Sequence, residues 1–150
     1  MDFLSFPKYG NNDSINNLKK KKEGDTVLTG DICSLDANDE IVKYDGTLPA
    51  YGVVGTYNNV NGLYVVYLSS HYSAVRCEDN SIVKNDKLYI GDNGIFIKSF
   101  AGGKYRQEFV AEEDQSDFQY MKEDGTYDTA VGVYVSFDFR GLVASTDPTN

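Results

Sequence analysis

From Gly24 onward the chain alternates short apolar runs with Gly, Asn and Asp turns, and no stretch sustains a long helical period. This cadence restricts the chain to short strands joined by tight turns. Twelve Tyr and eight Phe, with 14 Gly and only 3 Pro, suit pleated strands better than helices. Strands are expected at residues 26–28, 32–35, 41–44, 51–57, 63–68, 73–77, 87–90, 95–100, 131–139 and 142–145. Asp45-Gly46 is a type I′ hairpin signal after the third run, and residues 58–62 join the fourth and fifth as a hairpin. Asp92-Asn93-Gly94 and Arg140-Gly141 are further turns. Residues 108–121 carry the best helical spacing, but their centre, Glu112-Glu113-Asp114, reads as a surface excursion with one helical turn. The expected fold is all-β: a small barrel or sandwich of short antiparallel strands. At 150 residues it fits one domain with one core.

The residues read as the same half written twice. Gly24-Asp25-Thr26-Val27-Leu28-Thr29-Gly30-Asp31 matches Asn85-Asp86-Lys87-Leu88-Tyr89-Ile90-Gly91-Asp92. Further on, Gly52-Val53-Val54 followed by Gly62-Leu63-Tyr64-Val65 matches Gly132-Val133-Tyr134-Val135 followed by Gly141-Leu142-Val143-Ala144. Each Gly-Asp suits a turn, and each Gly-Val starts a strand where another backbone comes close. Two such halves can pair their edges and so remove exposed strand edges. From Asp25 to Gly52 is 27 residues and from Asp86 to Gly132 is 46, so the second half carries 19 more. The excess is assigned to an insertion around residues 101–128.

Residues 1–23 differ from this body, which is taken as residues 24–150. Phe3, Leu4, Phe6 and Tyr9 form an aromatic tip around Pro7, followed by a polar stretch and then Lys19, Lys20, Lys21 and Lys22. A short helix capped by Ser14 is one reading; an extended N-terminal arm is the better one. The tip either seeks a partner surface or folds back on its own domain. The chain carries a net charge of −9, yet over residues 1–24 five Lys face Asp2, Asp13 and Glu23. That segment is therefore +2 and the remainder −11. An acidic body is a poor non-specific binder of nucleic acid, which relies on clustered Lys and Arg. The lysine run is either a solvated face or a contact for an acidic surface.

Catalytic machinery is not legible. The single histidine, His71, has Ser69, Ser70 and Ser73 beside it along a strand, where side chains alternate faces and build no triad. A Cys77–His71 pair is the one nucleophile–base combination to test. Cys33 and Cys77 make no CxxC motif and read as reduced core thiols. Asp36, Asn38, Asp39 and Glu40 resemble the start of a calcium loop, but Ile41 and Thr47 occupy the positions that need Gly and Glu. Gly102-Gly103-Lys104 lacks the frame of a phosphate loop. No cofactor, metal or catalytic residue is expected, no apolar run approaches a membrane span, and the N-terminus is not a signal peptide. Tyr57, Tyr64, Tyr67, Tyr72, Tyr89, Tyr105, Tyr120, Tyr127 and Tyr134 form either a sugar- or protein-binding face or ordinary packing.

The body resembles the small β-barrel capsid decoration, or cement, proteins of tailed bacteriophages. The resemblance rests on Gly24-Asp25, on Tyr51-Gly52-Val53-Val54-Gly55, on the run from Val83 to Gly94, and on Val131-Gly132-Val133-Tyr134 with Gly141-Leu142-Val143. Asn85 stands where that family has glycine. The resemblance implies a virion structural protein, made in the host cytoplasm and bound to the outer surface of the capsid. There it would stabilise capsomers or anchor head fibres, as a homo-oligomer such as a trimer, against the major capsid protein or other virion proteins. It implies no enzymatic activity, no nucleic acid and no membrane. The arm, through Phe3, Leu4, Phe6, Tyr9 and Lys19–Lys22, is the expected partner-binding segment. The alternative is a carbohydrate- or receptor-binding module of a phage fibre, with a small cysteine hydrolase and a host-derived interaction domain behind it.

Overall fold

A computed structural model describes residues 1–5, 7–8 and 14–144. The fold is all-β and antiparallel, a curled sandwich rather than a closed barrel. Its strands are β1 (Ile15–Lys19), β2 (Ile32–Leu35), β3 (Ile41–Lys43), β4 (Gly52–Asn58), β5 (Leu63–Arg76), β6 (Lys87–Ile90), β7 (Phe96–Ile97), β8 (Phe109–Val110), β9 (Ser116–Met121) and β10 (Tyr127–Asp138). A 3-10 turn, Phe139–Gly141, follows β10. The larger sheet runs β3-β2-β4-β5-β10-β9, with β1 also on β5; the smaller one runs β7-β6-β8. Among the described residues no helix is long and apolar enough to cross a membrane.

The organising element is β5. It pairs with β4 (Val53 opposite Tyr67), with β1 (Leu18 opposite Val65) and, over its second half, with β10 (Val133 opposite Val75). The sequence reads β5 as two strands, because the polar run Ser69-Ser70-His71-Tyr72 breaks its apolar pattern. The strand continues through that run on an irregularity instead. Tyr72 takes a positive φ of 56°, and the register against β10 shifts between Val135 and Phe137. The polar groups there satisfy one another: Ser70 and Ser73 share a hydroxyl hydrogen bond, and the Tyr72 N–H donates to Ser136 Oγ at 3.0 Å.

Four other expectations change. Residues 26–28 form no strand, because Asp25 Oδ1 accepts from the Val27 and Lys43 N–H groups, and the Leu28 N–H donates to Asp31. Asp45-Gly46 is a turn, with Gly46 at φ 92°, but β3 has returned against β2 and not β4, so no hairpin forms there. Residues 108–121 hold β8 and β9 in place of a helical turn. Phe118 and Tyr120 are both buried and point inward at a spacing of two, as a strand requires. Residues 142–144 form only a single bridge, Ala144 with Tyr105.

Among the described residues the interior falls into three apolar clusters. The largest joins Ile32, Val75, Leu88, Phe96, Phe109, Val133 and Phe137 among others. A second, under β2 and β4, contains Val27, Cys33, Ile41, Val54, Tyr64 and Val66. The third is built from Leu4, Ala74, Phe118, Tyr120 and Tyr134. Both cysteines are free and buried.

Candidate functional site: the N-terminal segment and its surroundings

The described part of residues 1–23 is stitched onto the body by backbone hydrogen bonds, with a turn at Leu4-Ser5 where Ser5 takes a positive φ of 66°. The Gln119 N–H donates to Asp2 O and the Leu4 N–H to Gln119 O, so the segment adds to the outer edge of β9. It then crosses to β5, where the Ser5 N–H donates to Ala74 O and the Lys8 N–H to Tyr72 O. Ser5 Oγ donates to Val54 O at 2.6 Å. Further along, Lys20 O accepts from the Ile41 N–H and the Lys22 N–H donates to Ile41 O, which ties the lysine run to β3.

The expected partner-binding residues therefore separate into different environments. Leu4 is 1% exposed and belongs to the core; burying such a side chain contributes about 1.5–3 kcal/mol. Phe3 is 39% exposed and meets Tyr127 edge-on, with ring centroids 6.0 Å apart. Phe6 and Tyr9 lie outside the described residues. Lys19 pairs with Asp39 at 2.7 Å, Lys20 with Glu40 at 3.9 Å and Lys21 with Glu123 at 2.9 Å. Acids of the body thus partly neutralise the lysine run, while Lys20 and Lys22 keep exposed ends.

Around Phe3 the surface opens into an apolar pocket of about 220 Å³, lined by Leu4, Thr29, Thr56, Tyr120, Met121 and Tyr127 as well. A shallower trough continues from it past Leu28 and Tyr64 to Lys21, Lys122, Glu123 and Asp124. Glu123 anchors this end. Its carboxyl is held below the ordinary range first by the Tyr64 hydroxyl, which donates to it at 2.6 Å, and then by Lys21. At the other end the Glu113 carboxyl is also lowered, chiefly by Lys8 at 2.5 Å and then by the Tyr72 hydroxyl. The Lys8 ammonium lies 5.0 Å from the Tyr134 ring centroid, and the Tyr134 hydroxyl bonds Asp2.

The tyrosines do not form one platform. Tyr64, Tyr105, Tyr120 and Tyr134 are buried, and Tyr127 is the exposed one at 60%. The Tyr105 hydroxyl is used internally, accepting from the Ala50 N–H at 3.0 Å.

The tested chemistries find no assembled site among the described residues. Cys77 is 5% exposed in the main core, and burial pushes its thiol up to about 12. His71 is exposed on β5, which ends before Cys77, and six residues of extended chain, about 20 Å, separate the two. Its Nδ1 lies 3.0 Å from Ser136 Oγ. Asp36 caps its own turn, accepting from the Asn38 and Glu40 N–H groups, and no group of metal-ligating side chains gathers there or elsewhere among the described residues.

Sequence reasoning missed the pocket-forming role of Thr29, Thr56, Met121 and Tyr127. Of these, Tyr127 alone carried a signal, as one of the tyrosines. It also missed what Gly30 and Gly132 accomplish together, although both stood in the repeated motifs. A Cβ on Gly30 would lie 3.0 Å from Leu4 Cδ1, and one on Gly132 would lie 3.0 Å from Leu4 Cδ2. Comparison with known proteins finds no matching family model and no curated relative.

Proposed function

We propose that this chain is a virion structural protein bound to the outer surface of a phage capsid, where it stabilises capsomers or anchors fibres. The observation that supports this most is the apolar surface at Phe3, Tyr127 and Met121 with its pocket, which continues into a trough ending at Lys21, Lys122, Glu123 and Asp124. An exposed aromatic pair over a pocket with a charged rim suits a protein contact, with apolar anchors at the centre and polar groups around them. The resemblance to capsid decoration proteins points to a shell subunit as the partner. A ligand that binds only the assembled shell stabilises it by mass action, and repetition over the shell adds avidity.

The fibre glycan-binding alternative needs several coplanar exposed tyrosines, and the burial of Tyr64, Tyr105, Tyr120 and Tyr134 weighs against it. The test is imaging of the intact particle at side-chain resolution, together with the occupancy of a Phe3→Asp, Tyr127→Asp variant on shells. The reading expects the chain on the shell exterior and a large loss of occupancy in the variant. A particle without it on the shell, or full occupancy of the variant, would retire the reading.

A further inference from the structure

Asparagine is followed by glycine twice in the chain, at Asn61-Gly62 and at Asn93-Gly94. In such a pair the glycine amide nitrogen can close on the asparagine side-chain carbonyl, because no Cβ hinders the approach. In a folded protein the freedom of the surrounding backbone decides whether it does. The two turns differ in that freedom.

Asn61-Gly62 ends the tip between β4 and β5. Asn61 is exposed, and its neighbour Val60 is 91% exposed. A Cβ placed on Gly62 would meet nothing nearer than Tyr57 Oη at 3.9 Å, so the peptide has room to turn. Two hydrogen bonds hold the pair: the Gly62 N–H donates to Asn58 O at 2.8 Å, and the Leu63 N–H to Asn61 Oδ1 at 3.0 Å. Both close within the tip, so fraying opens them without unpairing the rest of β4 and β5.

Asn93-Gly94, between β6 and β7, is locked. Gly94 is buried, and a Cβ on it would lie 2.9 Å from the Lys43 side chain and 3.1 Å from Tyr44 O. Its N–H donates to Gly91 O at 3.0 Å, and its C=O accepts from the N–H of Ile32, the first residue of β2, at 2.8 Å. Turning this peptide would break a bond to β2 beside Phe96, a fully buried core residue.

We propose that Asn61 is a site of spontaneous deamidation in the folded chain, and that Asn93 is protected by its packing. The Gly62 amide loses its proton to hydroxide and its nitrogen bonds to Asn61 Cγ. The Cγ–Nδ2 bond breaks and ammonia leaves, closing a five-membered imide. Water then opens the ring at either carbonyl and yields aspartate or isoaspartate. Each product adds a negative charge, and the isoaspartate also lengthens the main chain by a methylene, which draws the acceptor away from the Leu63 N–H. Gly62 lines a hollow with Lys20, Lys21, Tyr57 and Tyr64, so the new charge arises beside the lysine run.

The experiment ages the full chain at mildly alkaline pH, folded in buffer and, in parallel, unfolded in urea. Peptides from each arm are weighed, and electron-transfer fragmentation separates aspartate from isoaspartate. In the folded arm the peptide holding Asn61 should gain the mass of an amide-to-acid exchange about ten-fold or more faster than the peptide holding Asn93. Both isomers should appear at Asn61, and the rate should rise with pH. In urea the two peptides should convert at similar rates. An Asn61 that stays intact in the folded chain, or an Asn93 that converts as fast, overturns the inference. A ten-fold difference that persists in urea overturns it as well, because its cause would then lie in the neighbouring residues and not in the fold.

Discussion

The two repeated halves use one sequence signature for different ends. At the first turn they agree. The Asp25 N–H donates to Lys22 O and the Asp86 N–H to Val83 O, with Gly24 at φ 81° and Asn85 at φ 75°. Val27 and Leu88, at matching positions, are both buried. Beyond that point the halves part. Residues 87–90 become β6 because β7 and β8 flank them, whereas residues 26–28 find side-chain and turn partners and stay irregular. The closing aspartates differ also: Asp31 is 1% exposed between Lys43 and Arg76, whereas Asp92 is exposed. A motif fixes a turn, but a strand needs a neighbour to accept its hydrogen bonds.

The halves converge again on β5. Gly52 and Gly132 both bring a strand against its backbone, and a Cβ would lie 2.5 Å from Tyr67 O at the first and 2.8 Å from Val75 O at the second. Carbonyls of a central strand cannot swing away, so overpacking here should be costly. Gly52→Ala and Gly132→Ala are each expected to lose about 1–3 kcal/mol in urea unfolding, with Gly52→Ala the larger. Negligible losses would break the parallel between the halves, and equal losses would overturn the ordering. Gly141, the counterpart of Gly62 in the repeat, has open space around its Cβ position, and Gly141→Ala should change stability by less than about 0.5 kcal/mol.

The first turn gives the next contrast. Gly24→Ala forces a side chain into the left-handed region and should cost about 1–2 kcal/mol. Asn85→Gly, which relaxes the same geometry in the other half, should shift the thermal midpoint upward by the equivalent of less than about 1 kcal/mol. A fall on Asn85→Gly would mean that the asparagine side chain, and not its backbone, matters there.

Asp31 supplies the smallest and most specific effect. Burial raises its carboxyl above the ordinary range, against the lowering effects of the Leu28 N–H, Arg76 and Lys43. Just above the unfolded value of about 3.9, the folded chain still holds this proton while the unfolded chain has released it. The contribution of Asp31 therefore declines as pH rises through that window. Glu113 and Glu123, whose carboxyls are lowered, contribute the opposite slope, losing stability as pH falls. Urea midpoints across the acid range should show the declining component in the unmodified chain and not in Asp31→Asn, whatever the offset between the two. Superimposable pH profiles would show that Asp31 does not titrate differently on folding.

The arm shows the limit of local reading most plainly. Its aromatic tip and lysine run are legible as an apolar–basic segment, and both fates of the tip were visible as alternatives. Leu4 took one of them, entering the core, while Phe3 stayed at the surface. The choice depends on Gly30 and Gly132, 26 and 128 residues away along the chain, whose significance appears only when they meet. The pocket beside Phe3 is likewise assembled from Thr29, Thr56, Tyr120, Met121 and Tyr127, which share no spacing.

What the residues determined alone was the all-β class, the hairpin across Asn58–Gly62, the limits of β2 and β6, and the positive-φ turns at Gly24 and Gly46. These follow from a period of two and from turn chemistry, both of which act within a few residues. Tertiary structure decided that β5 runs unbroken through a polar stretch, that residues 26–28 and 142–144 form no strand, and that the lysine run faces its own acids. Each of those outcomes depends on which distant backbone or carboxylate arrives to satisfy a hydrogen bond or a charge, and that pairing is written in the whole chain and in no single segment of it.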